Sequence, residues 1–334
     1  MKPYYYKGSA DMKKSTKIIL CSALGVAGAA YGACTLIDEL LLNRKMIPSP
    51  EFSAKVTGCD MSHLEEATNR GIAKLEEYGC EKYHMLSERG EKLTAYLMKP
   101  EKESNVYAFC AHGYRSDAKG EFCKIAHYYL NKGINVFMPD HVASGESEGL
   151  HCTFGYYEEP DCLKWLSYMK DTFGSDIKIL LHGVSMGAAT VMMMSGNKAL
   201  PENVKLTVSD CGYSTAVGEF SEKLRDMKLP ADLIIKGVNA VNKLHLGFDF
   251  YTLRPVDSVK KAKIPMLFIH GTGDTFIPHR MCQEVYDACG SEVKEILYIE
   301  GADHAQAFPT DTETYSKKLD EMIDKYVLGV TAEA

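Results

Sequence analysis

Residues 180–189 read Leu-Leu-His-Gly-Val-Ser-Met-Gly-Ala-Ala, and this stretch decides the predicted fold. It places a G-x-S-x-G motif directly after an apolar run typical of a strand and directly before small residues typical of a helix. Gly183 and Gly187 permit a sharp turn that a side chain at either position would block. Such a turn projects the hydroxyl of Ser185 above the sheet at the start of a helix, so Ser185 is the candidate nucleophile.

Strand-length apolar runs and helix-length stretches alternate on both sides of this motif. The apolar runs lie at 106–111, 134–138, 177–181, 205–209, 265–269 and 293–299. The helix-length stretches lie at about 118–131, 158–173, 186–198, 279–289 and 312–327. This alternation predicts an α/β fold in which helices cover both faces of a mostly parallel central sheet.

Two segments depart from the alternation. Residues 83–86 and 93–98 flank a polar turn and predict a β-hairpin ahead of the parallel strands. Residues 214–257 are longer than one strand connection requires, and Pro230 interrupts their helical pattern. They predict a small helical cap over the carboxyl edge of the sheet, where open α/β sheets place their ligand sites.

A serine nucleophile requires two further residues later in the chain. Serine at its ordinary pKa reacts slowly, so it needs an adjacent base that is itself oriented by an acid. After a G-x-S-x-G turn the expected order is Ser, then Asp or Glu, then His. Asp274 and His304 each follow a predicted strand, and loops at the carboxyl ends of neighbouring strands can converge on Ser185. The sequence therefore predicts a Ser185, His304 and Asp274 triad.

Other acids and histidines compete for these roles. Asp303 adjoins His304 and cannot easily brace its neighbour's imidazole, whereas Asp210, at the end of another strand, is a second place for the acid. His270 lies at a strand end and is expected to be buried and structural. His279 starts a helix and is expected at the surface.

An acyl-transfer site also needs two backbone N–H groups directed at the developing negative charge. Met186, the residue after the nucleophile, is one candidate. The other is expected in the loop 110–116, where Tyr114 is the candidate through its N–H rather than its ring.

Several strings together resemble the α/β-hydrolase superfamily over about residues 80–329. They are 112–114, 139–140 followed by 145–149, Gly155 with Glu159, Asp161 and Trp165, 183–187, and 271–278. The sequence is most similar to bacterial membrane-anchored or exported hydrolases related to serine esterases and to prolyl-oligopeptidase-like catalytic domains. The resemblance implies Ser185 as nucleophile, His304 as base and Asp274 as acid. One departure is 140–145, where relatives usually carry Arg-Gly-His-Gly after the Asp.

These features predict a serine hydrolase that cleaves acyl esters through an acyl-enzyme, with no cofactor and no metal. The expected substrate is a small-molecule ester or a short peptide. A serine peptidase or amidase of prolyl-oligopeptidase type is an alternative, although only about 80 residues precede the sheet, too few for that family's propeller. An acyltransferase or thioesterase is another, and a non-catalytic binding module is disfavoured by the predicted triad.

The N-terminal region contains twenty residues without a charge, at 18–37. About 20 apolar residues are needed to cross a bilayer. The lysines that precede this segment predict a cytoplasmic tail at 1–17, a transmembrane signal anchor at 18–37, a tether at 38–60 and an extracytoplasmic hydrolase domain at 61–334. This arrangement is a single-pass protein of the cell membrane. A cleaved signal peptide, which would give a secreted protein, and a buried or peripheral helix are the alternatives.

Composition excludes other classes. Hydrophobic residues form 46% of the 334 residues and charged residues 25%, which is ordinary for a globular protein and excludes a largely disordered chain. The net charge is −7 and no basic stripe is present, so nucleic acid is not an expected partner. The 11 cysteines show no regular spacing and no CxxC pair, so we expect mostly free thiols and no zinc site.

Overall fold

A computed structural model describes residues 14–46 and 65–330, with the side chains of 25–46 and 68–330. Residues 1–13 of the predicted tail, 47–60 of the predicted tether and both ends of the predicted hydrolase domain, 61–64 and 331–334, lie outside the described residues. The strands are β1 (Glu81–Leu86), β2 (Lys92–Met98), β3 (Val106–Ala111), β4 (Asn135–Pro139), β5 (Lys178–Val184), β6 (Val204–Asp210), β7 (Met266–Gly271) and β8 (Lys294–Ile299).

The helices alternate with these strands. They are α1 (Lys14–Leu42), α2 (Glu65–Tyr78), α3 (Ala118–Phe122), α4 (Ala126–Asn131), α5 (Glu158–Phe173), α6 (Met186–Ser195), α7 (Ala216–Asp226), α8 (Ala231–His245), α9 (Pro255–Val259), α10 (Arg280–Ala288), α11 (Ala307–Thr310) and α12 (Thr312–Ile323). A 3₁₀ turn spans Phe250–Thr252, and a π-helical turn at Asp324–Leu328 extends α12.

Among the described residues, eight strands form one sheet in the order β1-β2-β4-β3-β5-β6-β7-β8. The β1–β2 hairpin pairs antiparallel, β2 pairs antiparallel with β4, and all later pairs are parallel. This arrangement confirms the predicted mostly parallel α/β sheet. Strand β5 runs beyond the predicted 177–181 because its pairing with β6 continues to Val184, opposite Asp210.

The sheet separates two apolar cores. Side chains alternate between the faces of a strand, so Ala108 and Cys110 pack on one side while Phe109 and Ala111 pack on the other. Helices α3, α4 and α12 cover the first face, and α5 covers the second around Trp165. Burial on both faces explains why the central strands read as continuous apolar runs.

The segment between β6 and β7 contains the helices predicted for a cap. Helices α7 and α8 form a pair that breaks at Pro230, as expected from the sequence. A third apolar cluster joins α8, through Val238, to Phe154 and to Met186 at the start of α6. The α7–α8 pair is therefore packed onto the region of the G-x-S-x-G turn.

Helix α1 does not end with the uncharged segment at residue 37. It continues to Leu42, which is 1% exposed. Its second half packs along α8, where Cys34 lies against Gly237 and the hydroxyl of Tyr31 is 2.7 Å from His245 Nε2. By length and composition, Gly25–Leu42 is the one stretch of the described helices able to cross a membrane. The carboxyl-terminal part of α1 nevertheless packs against the domain that contains the sheet.

Candidate active site

Ser185 occupies a tight turn between β5 and α6. Its backbone has a φ of +56°, in the left-handed region that residues with a side chain seldom adopt. A Cβ atom on Gly183 would lie 2.2 Å from the carbonyl oxygen of Gly187, and one on Gly187 would lie 1.9 Å from that of Ala111. Both glycines are thus required by close backbone approach, which is the reason inferred from the motif.

The structure brings the three predicted residues into one hydrogen-bonded chain. His304 Nε2 lies 2.9 Å from Ser185 Oγ, and His304 Nδ1 lies 2.8 Å from Asp274 Oδ2. The three residues follow β5, β8 and β7, so the carboxyl ends of three strands place them at one edge of the sheet. This arrangement lets a proton on Ser185 move to an imidazole that a carboxylate orients.

Asp274 is held as an anion. Its Oδ1 accepts hydrogen bonds from the N–H groups of Phe276 and Ile277 at 2.9 and 2.8 Å. Its Oδ2 also lies 3.1 Å from His270 Nε2. Burial alone would raise the pKa of this carboxyl, but the charge of His304 and the hydrogen bonds from His270 and His304 outweigh burial and hold the pKa below its ordinary value.

The rival histidines and Asp303 occupy other positions. His270 is fully buried and its Nε2 donates to the carbonyl of Ile277, so it is structural, although its contact with Asp274 was not expected. His279 is exposed at the start of α10. The Oδ1 of Asp303 accepts from the backbone N–H of its neighbour at 2.7 Å instead of bracing that residue's imidazole.

Asp210, the second candidate acid, belongs to a buried network behind the serine. Its Oδ2 accepts from the hydroxyl of Tyr315 at 2.9 Å, and burial raises its pKa to about 6. The Tyr315 hydroxyl is 3.2 Å from His182 Nε2, and the hydroxyl of Tyr129 is 2.7 Å from His182 Nδ1. Burial lowers the pKa of His182 to about 3, so this imidazole is neutral. Sequence reasoning placed His182 in the turn but missed its two tyrosine partners.

The loop after β3 lies directly against the nucleophile. A Cβ on Gly113 would be 3.3 Å from the Cβ of Ser185, so this backbone borders the reacting hydroxyl. The Tyr114 ring stacks on Phe154 with centroids 4.8 Å apart. Its N–H has no acceptor among the described residues. Met186 is the first residue of α6, where N–H groups have no partner within the helix.

The segment that departs from the family pattern folds around a buried carboxylate. Asp140 accepts hydrogen bonds from the N–H groups of Ala118 and Glu146 at 2.9 and 2.8 Å. Gly145 has a φ of +48°, and a Cβ there would lie 2.1 Å from Asp140 Oδ2. His141 donates its N–H to His112 Nε2 at 3.0 Å, which ties this segment to the loop that carries Tyr114.

One group of potential metal ligands occurs among the described residues. Sγ of Cys211 and single ligand atoms of Asp274 and His304 lie within 4.8 Å of one another. Two of the three are the carboxylate and imidazole that already bond to each other beside Ser185.

Comparison with known proteins supports the interpretation of the fold. The family model for the alpha/beta hydrolase fold matches residues 109–233. An uncharacterized protein of Bacillus subtilis, YqkD, is 28% identical over 70% of this chain and 76% of its own length. Caffeoylshikimate esterase of Arabidopsis thaliana is 24% identical over 80% of this chain and 90% of its own.

A solved structure agrees. The Pyrococcus furiosus esterase Pf2001 superimposes with a TM-score of 0.62 at 20% identity, covering 76% of this chain and 93% of that one. The fold, the nucleophile turn and these similarities define the class: the chain has the α/β-hydrolase fold. It is a hydrolase enzyme, as the sequence predicted.

Proposed function

We propose that this hydrolase is a serine esterase that cleaves carboxylic esters through an acyl-enzyme. The observation that supports it is the unbroken hydrogen-bonded chain from Ser185 Oγ through His304 to the anionic Asp274. A serine that only shaped a turn would not require an imidazole bonded to its hydroxyl. Here the partner imidazole is itself oriented by a carboxylate that accepts hydrogen bonds from His304 and from two backbone N–H groups.

In the proposed mechanism each group has one step. His304 Nε2 takes the proton from Ser185 as Oγ attacks the ester carbonyl, and Asp274 stabilises the imidazolium that forms. The N–H groups of Tyr114 and Met186 stabilise the oxyanion. The intermediate collapses to the acyl-enzyme and expels the alcohol, which takes the proton from His304. Water, activated by the same imidazole, then attacks the acyl group and releases the acid.

We favour an ester over an amide as the substrate because the chain is similar to an esterase over most of its length. We would measure hydrolysis of p-nitrophenyl esters of increasing acyl length and of the matched p-nitroanilides, using the full chain in detergent. Hydrolysis of the esters alone is expected. Faster cleavage of the anilide would favour the peptidase alternative, and transfer of the acyl group to an added alcohol or thiol would favour an acyltransferase or thioesterase.

A pair of serine variants serves as control. Ser185→Ala removes the proposed nucleophile and should abolish turnover. Ser195→Ala removes another buried hydroxyl, which donates to the carbonyl of Met192 at the end of α6. This variant should leave turnover intact. Equal activity of both variants would contradict the assignment.

We further propose that α1 attaches the enzyme to the cell membrane, with the hydrolase domain outside the cytoplasm. Tyr31 and Cys34 contact α8, yet both lie inside the predicted span 18–37. Tyr31 lies about 9 Å along the helix from residue 37. If 18–37 lies in the bilayer, the carboxyl end of α8 at His245 lies within the membrane. Leu244 beside it suits that position, because its side chain is 72% exposed.

Carbonate extraction of cell membranes tests this attachment. We expect the full-length chain to stay in the membrane fraction, with the hydrolase domain open to protease from outside. A soluble chain whose intact mass shows loss of the N-terminal residues would instead establish a cleaved signal peptide.

A further inference from the structure

The end of α1 binds the loop that carries the candidate oxyanion donor. The Tyr114 hydroxyl donates to the carbonyl of Leu41 at 2.5 Å. Arg115 Nη2 donates to the carbonyls of Leu40 and Met46 at 2.6 and 3.1 Å, and Arg115 Nε donates to the Tyr114 hydroxyl at 2.6 Å. The last carbonyls of a helix have no partner within it. Two adjacent residues of the oxyanion loop thus bind the free end of a helix 73 positions earlier in the chain.

These contacts stabilise a backbone that the loop would not adopt freely. Arg115 has a φ of +56°, in the left-handed region that is unfavourable for a residue with a side chain. Its guanidinium lies at the carboxyl end of α1, where the helix dipole favours a positive charge. The bonds to α1 therefore offset the strain in the residue that follows Tyr114.

The end of α1 is itself fixed from a second side. Arg44 donates to the carbonyls of Ser147 and Gly145 at 2.7 and 2.8 Å, and the Leu42 carbonyl accepts from the N–H of Cys152 at 2.9 Å. These bonds hold α1 to the segment after β4 and do not involve the oxyanion loop. The oxyanion loop is consequently bonded to a helix end that is itself held in place by other bonds.

We propose that the carboxyl end of α1 supports the oxyanion loop of the active site. Arg115 is the positioning residue that connects this helix end to the loop. The inference rests on the proposed function. Arg115 and the Tyr114 hydroxyl hold the backbone so that the Tyr114 N–H faces the oxyanion. The helix that attaches the enzyme to the membrane also completes the site that performs the chemistry.

Four variants of the full chain in detergent test this role. Tyr114→Phe keeps the ring and the N–H but removes the hydroxyl bond to α1. Arg115→Ala removes the guanidinium, and Arg115→Lys restores a charge that can reach one carbonyl. Tyr31→Phe is the matched control, since it also removes one hydroxyl between α1 and the domain but at α8.

Two measurements separate positioning from stability. The first is kcat and KM for a p-nitrophenyl ester. The second is Ki for the matched trifluoromethyl ketone, to which Ser185 adds so that the carbonyl oxygen becomes an oxyanion and His304 holds the proton. Loss of one oxyanion donor costs about 100- to 1,000-fold in kcat, so a misplaced donor should cost about 10- to 100-fold.

We expect kcat to fall and Ki to rise in parallel in Tyr114→Phe and Arg115→Ala, with KM within about twofold. Arg115→Lys should recover part of both, and Tyr31→Phe should match the wild type. The inference is overturned if an active wild type is accompanied by variants with unchanged kcat and Ki, or if only thermal stability shifts. If Arg115→Ala does not fold, Tyr114→Phe decides alone. A wild type that neither hydrolyses the ester nor binds the ketone overturns the proposed function as well.

Discussion

The two halves of the candidate site are held in place by different means. Asp274 and His304 lie on loops that directly follow neighbouring strands, and the partners of Asp274 come from the same loops or from β7. The loop with Tyr114 lies on the other side of Ser185 and depends on α1, which is distant in sequence. The triad side is therefore built by the sheet, whereas the oxyanion side requires a helix outside the sheet.

The largest effect expected on the triad side is that of Asp274→Asn. An asparagine cannot stabilise the imidazolium and favours the wrong tautomer of His304, so kcat should fall by about 10⁴-fold. Asp303→Asn is the matched control, because this carboxylate accepts from the backbone N–H of His304 and not from its ring. Steady-state ester hydrolysis measures both. A greater loss in Asp303→Asn would assign the acid to that residue.

Gly183→Ala tests whether the nucleophile turn at the end of β5 requires the close backbone approach that glycine permits. The added Cβ would lie 2.2 Å from the carbonyl of Gly187, so backbone must move. We expect the free energy of unfolding to fall by about 3 kcal/mol, together with loss of activity. Gly120→Ala is the comparison, since the three atoms nearest to its added Cβ all belong to the Asp117 side chain, and the closest is 3.3 Å away. Urea unfolding followed by circular dichroism would show equal costs if close approach at Gly183 were unimportant.

A buried carboxyl on α7 gives a contrast with Asp274. Neither oxygen of Glu219 has a hydrogen-bond partner among the described residues, and burial raises its pKa to about 8. Between the unfolded pKa near 4.5 and this value, the unfolded chain has lost a proton that the folded chain keeps. Stability therefore falls as pH rises through this window, by up to about 1.4 kcal/mol per unit.

Glu219→Gln removes that proton-linked cost. The variant should be more stable than the wild type at pH 8, by about 2 kcal/mol, and the difference should vanish near pH 4. Asp274 has the opposite sign, because its lowered pKa gives stability that is present above pH 4 and lost as pH falls further. Thermal unfolding across pH 4 to 8 measures the difference. A gain that does not depend on pH would show that Glu219 does not titrate in this range.

Arg44→Ala should have the smallest effect and acts on the oxyanion side. It removes two hydrogen bonds between the end of α1 and the segment 145–147. We expect the free energy of unfolding to fall by about 1–2 kcal/mol. The loss in kcat should be smaller than in Arg115→Ala, because Arg44 does not touch the oxyanion loop. A larger loss would place the support of that loop in the segment 145–147.

The same difference explains what the sequence could predict. The sheet, the nucleophile turn and the approach of Asp274 and His304 follow from apolar runs that end in recognisable loops. The docking of α1 has no such signal, because a side chain that binds a distant backbone carbonyl leaves no periodicity. The partners of His182 and the contact of His270 with Asp274 were also missed, because a contact between two side chains leaves no periodicity either.

The central claim is that His304 and Asp274 activate Ser185. It is tested most directly by treating the full chain in detergent with a fluorophosphonate and measuring intact mass, beside Ser185→Ala. The account predicts one adduct on the wild type, with fluoride displaced by Ser185 Oγ, and none on the variant. A folded wild type that remains unlabelled, or a variant labelled as readily, would contradict it.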